Sequence, residues 1–259
     1  MSIILYTDDH HQCIKFDNQI IGGEVQANQF LIKHDRRGML IGCGGQRIYQ
    51  SVLAALSSHL PAGALDYIFL SHQDPDIGSG LNLWLPICKA RIMISSLWAR
   101  FLPAFCVQGL LETRVTAIPD QGMRVDLAGS PLVAVPGHFL YSPGNFQLYD
   151  PVSKILFTGN LGASTLSQVE NIETEEDFNR HLPLMAVFHN RYIAGNEVCR
   201  RWAAMVRKLD VEMIVPQYGA RITGKQLVEK FYQWVEQEKT AVSDGAGDLF
   251  RLTPDAIQK

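Results

Sequence analysis

Short apolar runs separated by turn residues dominate the first 45 positions. Ile3 to Tyr6, Cys13 to Phe16, Gln29 to Lys33 and Met39 to Ile41 are divided by Asp17-Asn18, Gly22-Gly23 and Arg36-Arg37-Gly38, which predicts a strand meander. From Gln46 to Leu60 the period changes: Ile48, Val52, Leu56 and Leu60 fall at helical spacing, and Pro61 to Gly63 ends the helix. Leu65 to Leu70, rich in β-branched and aromatic residues, reads as an interior strand. Leu81 to Cys88 predicts a short helix, Ala90 to Ser95 a strand, and Ser96 to Val107 a helix with a serine start. Short strands return between Thr113 and Gly159, including a hairpin in which Asn145 to Tyr149 and Lys154 to Thr158 flank Asp150-Pro151. Asn196 to Leu209 places Val198, Trp202, Met205 and Leu209 on one helical face. Met213 to Val215 is the last expected strand. Lys225 to Lys239 is the last helix, with Leu227, Phe231 and Trp234 or Val235 inward.

Two strand-rich halves, each with helices, predict a sheet-on-sheet sandwich with helices outside. No repeat or flexible linker divides the chain, so residues 1–240 form one expected domain and 241–259, broken by Gly and Pro, a C-terminal extension.

Composition narrows the function classes. With 47% hydrophobic and 19% charged residues the chain is not mainly disordered, and a net charge of −3 provides no basic field for nucleic acid or anionic lipid. The N-terminus lacks a signal-peptide pattern and no apolar stretch approaches the roughly 18 residues of a membrane span, so a cytoplasmic location is expected. The 5 cysteines are odd in number and show no CxxC spacing. That argues against a disulfide framework and a thiolate zinc site, and for buried reduced thiols.

The candidate chemistry begins at Ser71-His72-Gln73-Asp74-Pro75-Asp76, directly after the 65–70 strand. Side chains two apart in an extended segment point the same way, so one imidazole and two carboxylates can converge on a metal at the strand's mouth. A second polar loop, Pro136-Gly137-His138, follows the strand Leu132 to Val135.

These two loops, the Thr158-Gly159-Asn160 turn and Pro216-Gln217-Tyr218-Gly219 resemble, in order and spacing, the metallo-β-lactamase superfamily, whose fold is an αββα sandwich (class α/β). Within it they are most similar to the flavodiiron branch, above all to the flavodoxin-less oxygen-binding di-iron proteins. The resemblance covers residues 25 to 225. It implies iron, no FMN domain in this chain, and metal ligands at His72, Asp74, Asp76 and His138. Where the branch reads H-x-E-x-D-H, this chain has His72-Gln73-Asp74-Pro75-Asp76-Ile77. The carboxylate that bridges the two metals falls on Asn160 and the last histidine on Tyr218, while Gly42 stands where the superfamily's ligand-orienting aspartate belongs.

Two divalent ions about 3.5 Å apart repel by on the order of 15 to 20 kcal/mol at an effective dielectric near 20, which a bridging anion normally offsets. Neutral Asn160 supplies no such charge. His72, Asp74 and His138 could still hold one ion with the Asn160 oxygen, and the second position keeps Asp76 unless Tyr218 ionises on a metal or His189 moves in. The expected function is therefore an iron protein with an altered or partly lost centre, binding or sensing O2 or NO rather than turning it over and passing its state to a signalling protein. A metal-free pseudo-enzyme acting as an interaction module is the alternative. A metallohydrolase is weaker, because those enzymes usually read H-x-H-x-D-H and Asp74 stands at their second histidine. Homodimers follow from the resemblance alone. His10, His11, His34, His59 and His181 are assigned no role.

Overall fold

The computed structural model describes residues 2–16, 27–164 apart from 105, 107, 108, 110 and 112, and 171–240. Among the described residues fourteen strands form two sheets of seven. In the first, β1 (Ser2–Thr7), β2 (His11–Phe16), β3 (Gln29–His34) and β4 (Arg37–Ile41) run antiparallel in chain order. β5 (Leu65–Phe69), β6 (Arg91–Ser95) and β7 (Val115–Ile118) then add in parallel. The second sheet contains β8 (Met123–Leu127), β9 (Ser130–Pro136), β10 (Phe146–Asp150), β11 (Ile155–Gly159), β12 (Asn171–Ile172), β13 (Met213–Pro216) and β14 (Arg221–Thr223), in the order β12-β14-β13-β11-β10-β9-β8. Only β11 with β13 and β12 with β14 pair in parallel there.

The alternation of side chains along a strand builds the layers. Phe30 and Ile32 of β3 point between the sheets, where they meet Phe146, Leu148 and Phe157, while Leu31 points outward to pack with Val52 and Leu56 of helix α1 (Tyr49–Ser57). The outer face of the second sheet is covered by α5 (Glu175–Tyr192), α6 (Asn196–Val206) and α7 (Lys225–Gln237), through Phe178, Met185, Trp202 and Phe231. The short helices α2 (Pro75–Gly78), α3 (Leu81–Trp84) and α4 (Ser96–Ala99) complete the other outer layer. This is the expected αββα sandwich.

Three local expectations need correction. The helix from Ser96 to Val107 stops at Ala99, because Pro103 removes a helix donor and the chain makes only a 3-10 turn over Leu102–Ala104. Val107 lies outside the described residues, as does the 241–259 extension. β13 is not the last strand, since β14 follows it. Helix α5, 18 residues long, does not emerge from the apolar spacing: Pro183 and the polar start hide its period. Its start is readable all the same, because the Thr174 side chain accepts from the Asp177 backbone N–H behind an acidic first turn. Among the described residues no helix is long and apolar enough to cross a membrane.

Candidate metal centre

All four polar loops leave the C-terminal ends of strands or turns at one edge of the sandwich. The loop after β5 is tied to the second sheet by the Phe146 N–H donating to the Ser71 carbonyl at 2.8 Å. The segment after β13 is tied to the end of β11 by the Gln217 N–H donating to the Gly159 carbonyl at 2.7 Å. At Gly219, φ is +87° and a Cβ would lie 1.9 Å from Ser164 Oγ, so only glycine lets that chain pass close enough to seat Tyr218.

His72 is the centre of the site and is 1% exposed. Its Nδ1 lies 2.8 Å from Ser71 Oγ, and that hydroxyl donates to Gln217 Oε1 at 3.0 Å. The hydroxyl proton is thus committed to Gln217, so Nδ1 carries the imidazole proton and the Nε2 lone pair faces the pocket. Gln217 occupies the space in front of Gly42, where a Cβ would come within 2.7 Å of Gln217 Nε2. The orienting support that Gly42 cannot supply therefore comes from a Ser71–Gln217 relay, which the sequence pattern does not reveal.

Around His72 Nε2, Asp74 Oδ2 lies at 3.4 Å and the Asn160 amide nitrogen at 3.3 Å. Asn160 Oδ1 is buried without a partner among the described residues. Rotating this amide turns the unpartnered oxygen toward the pocket. Each carboxylate is capped by a phenol: Tyr141 donates to Asp74 Oδ2 and Tyr218 to Asp76 Oδ2. Burial, with help from these carboxylates, pushes both phenols well above their ordinary range, so they stay protonated as donors. Burial pushes Asp74 up, but the neighbouring His72 ring and the Tyr141 hydroxyl outweigh it, and its carboxyl is held below the usual value.

The remaining sequence candidates make other contacts. His138 Nδ1 is 2.8 Å from the Pro143 carbonyl and Nε2 2.8 Å from the Asp120 carbonyl. Both nitrogens face carbonyl oxygens at hydrogen-bond distance, so neither is aimed at a metal in this conformation. Ile77, at the position of the branch's second histidine, is fully buried in the core beside α1 and α3. His189 packs on Trp234 with ring centroids 4.9 Å apart, and both its nitrogens are buried without a partner among the described residues. Its helix neighbour Phe188 instead stacks with Tyr141 and Tyr192, forming an aromatic wall above Asp74. Sequence reasoning missed this wall because it rests on α5, whose period is masked.

Burial pushes His189 down to about 4. Between that value and the unfolded value near 6.5 the unfolded chain takes up a proton that the folded one refuses, so stability falls as the pH drops through this window. The expected loss at pH 5 relative to pH 7 is about 2 kcal/mol. His189→Leu should reduce the pH slope by about that amount in urea denaturation at the two pH values, leaving the smaller contributions of partly buried His59 and buried His181.

As a test of fit, the separations around His72 Nε2 are those of donors sharing one ion at roughly 2.0 to 2.2 Å. One nitrogen, one carboxylate and an unpartnered amide oxygen therefore fit a single hard or borderline ion. The second position, with Asp76 held by a protonated phenol, fits poorly.

Residues 25–219 match the family model described as ODP family beta lactamase. The chain belongs to the ODP family. Among solved structures it is similar to the peroxy di-iron species of the chemotaxis sensor ODP, at 39% identity and TM-score 0.84, covering 96% of this chain and 99% of that one. The apo state of the chemotaxis sensor ODP from T. denticola matches at 38% identity with the same coverage and TM-score. A point mutant of the flavo di-iron protein from Thermotoga maritima shares the fold at 19% identity, with TM-score 0.75, covering 91% of this chain and 60% of that chain. No curated protein sequence matches the chain. The ODP-family assignment accounts for the αββα layers.

Proposed function

We propose that this chain is a non-haem iron protein that binds a diatomic gas, O2 or NO, and signals the occupied state to a protein partner. The observation that carries the reading is His72 Nε2, presented by the Ser71–Gln217 relay beside Asp74 and the Asn160 amide, whose oxygen is buried without a partner among the described residues. The 38 to 39% identity with a chemotaxis sensor along almost the whole of both chains supports sensing over turnover. His72, Asp74 and the Asn160 oxygen would hold the iron, with Asp76 beside them. A bound ferrous ion supplies an open position for a gas molecule. Tyr141 and Tyr218 orient the two carboxylates, and the Tyr141, Phe188 and Tyr192 rings cover the Asp74 side of the pocket against water.

The test is iron analysis and optical titration with O2 and NO on protein purified without oxygen. The expected result is one iron per chain at most, with a reversible spectral change on gas addition. A chain that takes up no iron from added Fe2+ would support the second reading, a metal-free interaction module. That reading is favoured by the two phenol caps and by the His138 ring bonded to two carbonyls.

A further inference from the structure

At the opposite end of the sandwich a second set of donors is buried. Phe146, at the start of β10, touches the Ser71 loop, and Asp150 ends the same strand about 13 Å further along at roughly 3.3 Å per residue. There His11 Nε2 lies 2.8 Å from Asp150 Oδ2, Cys13 Sγ 3.2 Å from the same oxygen, and Cys13 Sγ 3.8 Å from His11 Nε2. All three residues are 0% exposed. His11 and Cys13 are two apart on β2, so they share the face that looks across the sandwich at β10. Ser153 Oγ also donates to Asp150 Oδ2 and sits 3.4 Å from Cys13 Sγ.

We propose that His11, Cys13 and Asp150 form a second metal site, selective for a borderline divalent cation such as Zn2+, that ties the two sheets together. A point equidistant from the three donor atoms lies about 2 Å from each, close to zinc bond lengths to nitrogen and oxygen and slightly short of that to sulfur. Ser153 Oγ stands where a fourth ligand belongs. With an ion bound, His34 Nδ1, 3.2 Å from His11 Nδ1, would accept a hydrogen bond from it and hold the His11 ring with Nε2 toward the ion.

Charge favours the exchange. Without an ion, three side chains crowd one oxygen of a buried carboxylate. When a dication enters, the thiol proton leaves to solvent, the remaining imidazole proton sits on Nδ1 toward His34, and Sγ and Oδ2 together balance the two positive charges. A surface cleft lined by Tyr6, Val152 and Ser153 lies beside the cluster. The absence of a CxxC pattern excluded a cysteine-rich site, not this mixed one.

The test uses Co2+ and Zn2+ on the full-length protein under reducing conditions. A thiolate on Co2+ gives a near-ultraviolet charge-transfer band, and the His72 centre contains no thiol, so the two sites are distinguishable. Expected results are the band at one Co2+ per chain, its persistence in His72→Ala, its loss in Cys13→Ala, and at least tenfold weaker binding in Asp150→Asn. Zn2+ should raise the unfolding temperature of the wild type and leave that of Cys13→Ala unchanged. Should Cys13→Ala fail to fold, the wild type and Asp150→Asn still decide. No band in the wild type, a band that survives Cys13→Ala, or unchanged affinity in Asp150→Asn would overturn the proposal.

Discussion

Replacing Asn160 by Asp and Tyr218 by His in one chain is expected to raise the bound iron from at most one ion toward two. Each change repairs a defect visible in the structure. Asn160 lies beside His72 Nε2 but offers only a neutral oxygen, and a carboxylate there supplies the anion that offsets the repulsion of two cations. Tyr218 holds Asp76 through a protonated hydroxyl, and an imidazole there releases Asp76 and adds a neutral nitrogen donor. Ile77 stays unrepaired because it belongs to the outer core. His72→Ala should abolish iron binding in both backgrounds, since the other loop imidazole, His138, is committed to two carbonyls. Iron analysis with Mössbauer spectroscopy distinguishes one ion from a coupled pair. A wild type that already holds two tight irons would refute the charge argument and make Tyr218 a ligand in its own right.

The second large effect is expected at Gly42. Restoring the superfamily's aspartate as Gly42→Asp should damage this protein, lowering stability by about 2 kcal/mol and iron affinity by roughly 10- to 100-fold. The backbone there has φ +67°, and the new Cβ would collide with the Gln217 amide that holds Ser71 and, through it, His72. Gln217→Ala alone should lower iron affinity within the same range with little loss of stability. Because the two residues compete for one space, the pair Gly42→Asp with Gln217→Ala should recover much of the stability, a non-additivity measurable by urea denaturation. Additive losses would show that Gln217 is not what excludes a side chain at position 42.

Periodicity made most of the fold legible. The strands at both ends of the meander, the β10–β11 hairpin and helices α1, α6 and α7 lie where the spacing of apolar residues puts them, because each must turn one face to a core. What failed had identifiable causes. Pro103 outweighed the apolar content of 96–107, and the polar first turn and Pro183 masked α5, though Thr174 and its three acidic followers marked the start. Four of the five histidines given no role proved to be hydrogen-bonded to residues distant in sequence: His10 to Asp35 at 2.8 Å, His11 to Asp150, His34 to His11 at 3.2 Å, and His181 to Ser164 at 2.8 Å.

By itself, the sequence determined the class of fold, the order of the polar loops and the charges each could bring to a metal, since these follow from residue type and local period. Tertiary structure alone decided orientation. It turned His138 onto two carbonyls, put Gln217 in the place of a missing aspartate, and set a phenol on each carboxylate. It also brought Cys13 against Asp150, 137 positions away in the chain. The physical reason is that a side chain's donor direction is set by whichever buried group must be satisfied beside it, and those neighbours arrive from other strands only when the sheets pack.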